Sequence, residues 1–472
     1  MPKVQKDYAA FAKITPYKIN SENRIEELIS YNVEWITADG DISVQKTTSA
    51  TTFSNNSLLA NGSWYKIGIT KGGIYKIDKT FLTNIGINVT ALNPKNIRIY
   101  GNGGHMLPER NGLTRPDDLQ ENAIKVVGET DNVFDPNDYV LFYGQETNEW
   151  IYDTAHALSC LNFYNKQNYY SDTTYYYLTT DLGFGKRITD RSSSLTPATN
   201  TATNYDYYDF HEINTTNFIK SGSEFYGEYF DFTPSYTFSF PIPNLVLNDT
   251  IAALAKVAAR GATPSVYTFA FSGSSTSFTS GVVNLNDYLG DYVSIISNCN
   301  KALCNNPLLL TFNVTKQTSG TVGWLDKLVF NARRNLIFNN TQFHFRDSRT
   351  IGTGNLTNYV LNTNSFSNIS VWDVTDIINV TNQQFNLNGN LLDFTMNNDS
   401  LREYAVFNGS DYLAPNFVTK VIKQNLHAIP QADYVIVTYP GFLNQAQKLA
   451  QIHQQFDGFS SAVVTTDQIY NE

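Results

Sequence analysis

The strongest constraint on the fold of this chain is an alternation of apolar and polar residues that recurs along most of its length. Residues 236–240, 267–271 and 308–314 each place an apolar side chain at every second position. Successive side chains of a β-strand point to opposite faces, so this pattern predicts strands with one packed face and one solvated face. Because Gly, Ser and Asn turns separate these strands, we expect two antiparallel sheets packed as a β-sandwich or jelly roll.

The composition agrees with a β-rich protein and excludes several other classes. Charged residues make up 16% of the 472 residues, and the chain contains 30 Phe, 30 Tyr and 5 Trp, which excludes a disordered chain. The net charge of −10 and the pI of about 5.1 leave no concentrated basic face for nucleic acid. No apolar stretch reaches the roughly 18 residues of a membrane-spanning helix.

Shifts in composition divide the chain into four predicted regions. These are an extended lead-in at residues 1–55, an N-terminal β-rich domain at 56–200, a β-sandwich at 201–428 and the start of an α/β domain at 429–472. Within the lead-in, Leu28–Val33 is predicted as either a strand or a short helix. The polar segment from Arg191 to Asn204 is predicted to be a loop at a domain boundary.

Strand signals begin at residue 64 of the N-terminal β-rich domain. Residues 64–69 and 73–77 alternate with a period of two, and Lys71-Gly72-Gly73 between them predicts a hairpin. Further strands are predicted at 96–100 and 138–143. In the β-sandwich region, the alanines of Ile251–Arg260 favour a helix, whereas its neighbours favour a strand, and we predict a strand.

One short helix is predicted directly after the hairpin. Asp78 is placed to cap it, and Phe81, Leu82 and Ile85 lie on its buried side. Gly86 is placed to end the helix in a left-handed conformation.

The last 44 residues, 429–472, change character. Tyr434–Thr438 is a short continuous apolar run, which predicts a strand buried on both faces. Apolar residues then recur at helical spacing, a second strand follows at Ala462–Val464, and Asp467 is placed to cap another helix. This βαβ order predicts two parallel strands joined by a crossover helix. Since two strands cannot form a stable covered sheet, we expect the rest of this α/β domain to be absent from the chain.

Three cysteines are too few for a disulfide-based fold. Cys299 and Cys304 either close a small loop in an oxidising compartment or are two ordinary thiols. A zinc site is disfavoured because no His or Cys pair at ligand spacing accompanies them. Cys160 lies four residues from His156, but this spacing alone does not make a thiolate and its base, and structural roles are favoured for both residues.

Two loop motifs could bind a ligand, but a structural interpretation is favoured for each. Gly101–Gly104 follows a strand, but the next residues contain a proline and no helical period, so a glycine-rich turn is favoured over a phosphate loop. Asn111, Asp117, Asp118 and Glu121 lack the spacing of a calcium loop and are predicted to be solvated acids.

For the tyrosine run Tyr175–Tyr177 and for His453, a structural role is favoured over a binding role. Tyr175–Tyr177 has the composition of a sugar-stacking surface, but a strand with two buried rings and one exposed ring is favoured. His453 falls on the apolar stripe of the late helix and is predicted to be a packed core histidine.

Several short segments resemble a known family in their order and spread. Taken together, they are similar to the gingipain-related cysteine peptidases, the family that includes the sortase of the bacterial type IX secretion system. The resemblance covers most of residues 60 to 472. The segments that carry it are 64–67, 73–77, 93–104, 323–326, 371–375, 432–437 and 465–472.

The resemblance implies a fold and an activity for the parent protein. Large β domains would precede a caspase-like α/β domain, in which a Cys thiolate attacks the scissile carbonyl and a neighbouring His transfers protons. Such proteins act at the outer membrane and cell surface, where they remove the C-terminal signal domain of secreted cargo and attach the cargo to anionic lipopolysaccharide. An outer-membrane β-barrel protein is the usual partner.

No functional residue of the family carries over to this chain. The family's catalytic His and Cys lie beyond the first βαβ unit, and none of Cys160, Cys299, Cys304 or the six histidines falls at a matching position. We therefore assign no catalytic, cofactor-binding or metal-binding residue and expect the chain to cleave nothing. The apolar core of a secretory signal is missing from Met1–Asp7, so either the protein stays inside the cell or its true N-terminus is missing. Together with the missing catalytic residues, the resemblance implies a chain shortened at both ends.

Two hypotheses follow. The first is the N-terminal, non-catalytic portion of a gingipain-type cysteine peptidase that acts as a type IX secretion sortase. The alternative is a stand-alone adhesive or glycan-binding β-sandwich protein of the cell surface.

Overall fold

The fold is described from a computed structural model. The structure describes residues 17–19, 25–27, 53–110, 113–153, 160–218, 220, 222, 224–283 and 293–472. The chain divides into two compact units, Met1–Thr52 and Phe53–Glu472. In the first unit, Tyr17–Ile19 pairs antiparallel with Ile25–Glu27. The predicted element at Leu28–Val33 lies outside the described residues.

The strands are numbered in chain order. Strands β1 to β11 are Tyr17–Ile19, Ile25–Glu27, Trp64–Ile69, Gly73–Asp78, Arg98–Tyr100, Glu121–Asn122, Lys125–Val127, Tyr139–Gly144, Glu149–Tyr152, Phe163–Lys166 and Thr174–Thr179. Strands β12 to β22 are Thr189–Arg191, Asn200–Ala202, Asn204–His211, Tyr229–Phe230, Ser235–Pro241, Thr250–Arg260, Val266–Phe271, Ser274–Thr279, Ser294–Leu303, Leu309–Lys316 and Val322–Asn335. Strands β23 to β32 are Phe343–Phe345, Leu356–Asn362, Ser370–Asp373, Thr381–Gln383, Asn386–Asn388, Leu391–Asn397, Tyr404–Phe407, Asn416–Val421, Tyr434–Thr438 and Ser461–Thr465.

The helices are few and short. The α-helices α1 to α3 are Lys79–Asn84, Leu443–Asp457 and Thr466–Asn471. Single 3₁₀ turns occur at Leu58–Ala60, Val89–Ala91, Pro94–Asn96, Glu129–Asp131 and Pro440–Phe442. No helix in the described part of the chain is long and apolar enough to cross a bilayer.

The first β domain consists of two antiparallel sheets that enclose one core. One sheet has the strand order β30-β3-β11-β5-β6, and the other has the order β4-β8-β7. Apolar side chains from both sheets and from α1 fill the space between them, among them Ile67, Ile77, Leu82, Phe142 and Tyr176.

The hairpin predicted for residues 64–77 is wrong. Both strands exist, but β3 pairs with β11 and β30, whereas β4 pairs with β8. Residues 70–72 therefore carry the chain from one sheet to the other. The alternation of side chains identifies a strand but does not name its partner, and a short glycine turn also suits a sheet-to-sheet connection.

The short helix predicted after residue 78 is confirmed. The Asp78 carboxylate accepts a hydrogen bond from the Phe81 backbone N–H at 2.9 Å, and Leu82 and Ile85 are buried. Gly86 has a φ of 89°, a left-handed conformation that favours glycine and ends the helix.

The first sandwich lies between residues 204 and 335. Its two sheets have the orders β14-β22-β17-β20, with β15 also paired to β22, and β16-β21-β18-β19. Strand β17, Thr250–Arg260, confirms the strand predicted for the alanine-rich segment. Its alanines lie between β22 and β20 in the middle of a sheet and are mostly buried, so tertiary packing overrides their helix preference.

The second sandwich is built mainly from residues 336 to 407. Its sheets have the orders β12-β26-β25-β29-β23 and β13-β24-β28-β27, and they enclose a core that includes Phe345, Tyr359, Phe394 and Tyr404. Strands β12 and β13 pair in parallel with β26 and β24. Part of the segment predicted as a loop, Asn200–Ala202, is therefore a strand edge of this sandwich.

The chain returns to the first β domain after the second sandwich. The Leu413 N–H donates to the Ile74 carbonyl at 3.0 Å, and the Lys76 N–H donates to the Leu413 carbonyl at 2.8 Å. Strand β30 then pairs antiparallel with β3. The predicted boundaries at 200 and 428 stay predictions, and these hydrogen bonds join residues on opposite sides of the boundary at 200.

Candidate functional site

The C-terminal module, residues 434–471, has the predicted βαβ order. Strands β31 and β32 pair in parallel from Tyr434 opposite Ser461 to Thr438 opposite Thr465, and α2 connects them. Helix α3 follows at once. Its N-cap is Thr465 rather than the predicted Asp467, because Thr465 and Gln468 form a reciprocal capping box. Asp467 lies in the first turn of the helix.

The apolar faces of the C-terminal module are exposed. Val435, Val437 and Phe456 have exposed fractions of 58%, 55% and 75%, while Ala446 is the buried residue of α2. The strand predicted to be buried on both faces is therefore uncovered by the described residues. A two-stranded sheet with one helix has too few elements to cover both of its faces.

His453 is half-buried rather than a packed core residue. Its Nδ1 lies 2.6 Å from an Asp457 carboxylate oxygen, one helical turn away, and its ring contacts the rings of Tyr434 and Phe459. The helix face that bears His453 packs against only two strands, which is why the imidazole stays accessible.

Helix α3 docks against the first β domain through side-chain hydrogen bonds. Lys66 Nζ donates to Asn471 Oδ1 at 2.8 Å, and the Tyr177 hydroxyl donates to the same oxygen at 3.0 Å. Burial lowers the pKa of Lys66, and the Asp467 carboxylate acts in the opposite direction. The module is thus held on the sheet that contains β3 and β11.

The segment between β30 and the C-terminal module reinforces this docking. Gln424 Nε2 donates to the Gln468 carbonyl at 2.7 Å, and the Leu426 N–H donates to the Glu472 carboxylate at 2.9 Å. The Gln424 N–H also donates to the Leu59 carbonyl of the first β domain at 3.3 Å. The segment of residues 424–426 therefore contacts both the end of the C-terminal module and the first β domain.

The cysteines pair differently from the prediction. Cys160 and Cys299 form a disulfide with a Cα–Cα distance of 5.8 Å, and Cys304 is a buried free thiol. Residues five apart along a strand direction point to opposite faces, and Cys304 accordingly packs in the core of the first sandwich while Cys299 faces outward. The disulfide joins β20 to the segment before β10. His156, the predicted neighbour of Cys160, lies outside the described residues.

The loop acids are occupied by backbone and side-chain donors. Asp117 accepts from the Ser54 N–H, Asp118 from the Leu58 N–H, and Glu121 pairs with Arg98. Asn111 lies outside the described residues. No group of three or more His, Cys, Asp or Glu side chains in the described ranges is placed to hold a metal ion.

Two structural interpretations from the sequence are confirmed. Gly101–Gly104 follows strand β5 as irregular backbone and does not begin a helix. In β11, Tyr176 and Tyr177 are buried, while Tyr175 is 38% exposed and lies under Lys66 Nζ at 4.2 Å from the ring centroid.

A cavity of about 320 Å³ lies where the first β domain meets both sandwiches, and we call it the junction cavity. Tyr143 and the loop after β8 line one wall, Trp150 of β9 and the side chains of β14 line another, and His344 of β23 completes it. Residues from six separate parts of the chain therefore line one cavity.

Two of the residues that line this cavity, Arg346 and Glu403, form an ion pair. Arg346 Nη2 lies 2.5 Å from a Glu403 carboxylate oxygen, and Arg346 Nη1 donates to the Trp150 carbonyl at 3.0 Å. Burial by itself lowers the pKa of Arg346, but the Glu403 carboxylate raises it above its usual value. The guanidinium is therefore charged and already paired.

Two further carboxyl groups line the junction cavity. Burial raises the pKa of Glu146, and the nearby negative charge of Glu403 raises it further. Burial also raises the pKa of Asp209, although the carboxylate accepts hydrogen bonds from the Phe210 N–H at 2.8 Å and from the Tyr207 hydroxyl at 3.1 Å. Neither group forms an ion pair with a described residue, so both are costly to ionise.

The other notable lining groups are a histidine, several aromatic rings and one paired carboxylate. Burial lowers the pKa of His344, whose ring meets Tyr143 edge-on at 5.3 Å between centroids. The rings of Trp150 and Tyr208 lie 4.4 Å apart. Asp206 also lines the cavity but is neutralised by the buried Arg333 at 2.8 Å. Among the described residues, the cavity walls include no Cys, Ser, Thr or Lys side chain.

Comparison with known proteins relates the chain to one solved structure in particular. Residues 427–472 match peptidase family C25. The chain superposes on the crystal structure of dimeric latent PorU from Porphyromonas gingivalis with a TM-score of 0.75 at 20% identity, over 89% of this chain and 38% of that chain. The chain has a PorU-like fold. It spans 38% of the length of the PorU chain.

Two other solved structures have only low similarity to this chain. A family GH115 4-O-methyl-α-glucuronidase is 11% identical over 31% of this chain and 19% of that chain, with a TM-score of 0.17. TmCBM61 in complex with β-1,4-galactotriose is 10% identical over 30% of this chain and 98% of that chain, also with a TM-score of 0.17. No curated protein sequence gives a significant match.

The PorU-like fold confirms the predicted mainly β architecture followed by a βαβ unit. The junction cavity of this PorU-like chain was not predicted from the sequence. Its charged groups, Glu146, Asp209, Arg346 and Glu403, are scattered along the chain and form no motif. Spacing along the sequence therefore contains no signal for them.

We predict that the disulfide of this PorU-like chain is stabilising. The bridge closes a loop with a sequence separation of 139, so replacing both cysteines by serine (C160S/C299S) should lower the free energy of unfolding by about 3–5 kcal/mol. Urea denaturation followed by circular dichroism measures this loss. As a direct check of the pairing, iodoacetamide in denaturant without reductant should modify Cys304 alone. Modification of Cys160 would contradict the pairing.

Proposed function

We propose that this chain is the N-terminal, non-catalytic portion of a gingipain-type cysteine peptidase that acts as a type IX secretion sortase. The observation that carries the proposal is the peptidase family C25 match at residues 427–472, located directly after a PorU-like β architecture. In this role, the parent protein removes the C-terminal signal domain of secreted cargo and attaches the cargo to the cell surface.

The β domains would serve as the support on which the peptidase domain is assembled. The hydrogen bonds of Lys66 and Tyr177 to Asn471 fit this role, because they fix the second strand–helix unit of the C-terminal module on the first β domain. The exposed apolar side chains of the module, such as Val435 and Phe456, are available for packing against further elements of an α/β domain.

The chemistry of the cysteines supports a non-catalytic role for these residues. A cysteine nucleophile must be an accessible thiolate next to a base. Cys160 and Cys299 are consumed in a disulfide, and Cys304 is buried with its Sγ 3.3 Å from the Asn306 carbonyl oxygen. Burial also raises the pKa of the Cys304 thiol, which disfavours the thiolate.

The disulfide also supports a location outside the cytoplasm, since such bonds persist in oxidising compartments. The proposal therefore places the protein at the outer membrane and cell surface. Its proposed partners are cargo proteins with a C-terminal signal domain, an outer-membrane β-barrel protein and anionic lipopolysaccharide.

We predict that the purified chain has no thiol-dependent peptidase activity. Incubation with a peptide that spans a cargo cleavage site should yield no product above the buffer control, because no thiolate is accessible. The matched control is Cys304→Ala, which should behave identically in this mass-spectrometric assay. Turnover that disappears in Cys304→Ala would overturn the non-catalytic assignment.

The sortase role itself is tested in cells that express the parent gene. Deleting the gene should leave secreted cargo with its C-terminal signal domain attached, which mass spectrometry of cargo C-termini detects. Reintroducing the gene should restore cleavage. Cargo that is processed normally in the deletion strain would contradict the proposed function.

A further inference from the structure

The junction cavity has fewer cations than carboxylates. Besides Asp206, which is paired with Arg333, Glu146, Asp209 and Glu403 contribute three carboxyl groups to its walls, and Arg346 is the guanidinium that faces them. Arg346 is held by Glu403 and by the Trp150 carbonyl, which leaves Glu146 and Asp209 without a cation among the described lining residues. A ligand that brings a positive charge would favour the ionised form of both groups.

A second, independent feature also points to a ligand with hydrogen-bond donors. Tyr143 is only 5% exposed, yet its hydroxyl forms no hydrogen bond with any residue in the described ranges. A buried phenol ordinarily finds a partner, so an unpartnered hydroxyl on a cavity wall is an available site for a ligand. The hydroxyl oxygen and the carboxylate oxygens are all acceptors.

The aromatic wall supplies a surface for carbon atoms. Trp150 and Tyr208 pack ring against ring at 4.4 Å, and Phe210 meets Trp150 edge-on at 6.0 Å. Such rings favour apolar groups and, through their π faces, cations. The volume of about 320 Å³ is at the small end of the usual range for ligand pockets.

We propose that the junction cavity binds a small organic cation that carries a primary ammonium group on an apolar carbon chain. Glu146 and Asp209 neutralise the ammonium, the Tyr143 hydroxyl accepts one of its hydrogen bonds, and the carbon chain lies against Trp150. An ammonium group has three donors and no acceptor, which matches the acceptor oxygens of Glu146, Asp209 and Tyr143. An anionic ligand is disfavoured because Arg346 is already paired. This inference is independent of the proposed sortase function.

The test is a calorimetric titration of the 472-residue chain with n-butylammonium chloride and, in parallel, with 1-butanol. The two probes have the same carbon chain and nearly the same size, but only the first is charged. We expect n-butylammonium to bind about tenfold more tightly than 1-butanol, as charge-assisted hydrogen bonds are stronger than neutral ones.

Three variants assign the binding to the cavity. Neutralising both carboxyl groups (E146Q/D209N) should weaken n-butylammonium binding about tenfold, and Tyr143→Phe should weaken it about threefold. Asp172→Asn removes one charge from an exposed loop residue and should leave the affinity unchanged. Circular dichroism confirms that each variant is folded. Because E146Q/D209N removes two groups that are costly to ionise, this variant should not be less stable than the original chain.

The outcomes separate the possibilities clearly. Equal affinity for n-butylammonium and 1-butanol, no binding of n-butylammonium, or equal weakening by Asp172→Asn would overturn the proposal. A third probe, Nα-acetyl-lysine amide, distinguishes the source of the ammonium. Tighter binding of this probe than of n-butylammonium assigns the ligand to a lysine side chain, and weaker binding assigns it to a free small amine.

Discussion

Backbone pairing between strand β30, Asn416–Val421, and strand β3, Trp64–Ile69, brings the C-terminal module next to the first β domain. The pairing runs from Val421 opposite Trp64 to Asn416 opposite Gly68, with one bulge after Lys66. More than three hundred residues separate the partners, and all of the sandwich residues lie between them in sequence. Because the chain must return to this sheet edge, the C-terminal module begins next to the first β domain.

The same return explains where the polar contacts of the structure are concentrated. Segments that follow β30 donate hydrogen bonds both to the first β domain and to α3, and Lys66 of β3 itself reaches Asn471. On the opposite side of the first β domain, strand β8 leads into the loop that lines the junction cavity. The first β domain thus contacts every other part of unit Phe53–Glu472, which is the arrangement expected of a support.

Local periodicity predicted the elements of this fold well because each strand or helix depends mainly on nearby residues. The β-sandwich strands, the Asp78-capped helix and the βαβ unit are confirmed at nearly their predicted positions. Partner choice was predicted poorly, as β3 and β4 show, because it depends on the whole topology. The odd spacing of Cys299 and Cys304 does contain a signal against their pairing, since it puts them on opposite faces of a strand. The junction cavity contains no such signal, because its residues meet only after three domains have packed together.

Hydrogen exchange of the amides in strand β30 is the most direct test of the account that the chain returns to its first β domain. All but one of the β30 side chains are exposed, so protection of its amides arises from pairing with β3 rather than from burial. We predict that the amides directed at β3 exchange at least about a hundredfold more slowly than those of the exposed loop around Tyr170. Exchange of the β30 amides at the rate of that loop would show that the strand is unpaired and would contradict the account.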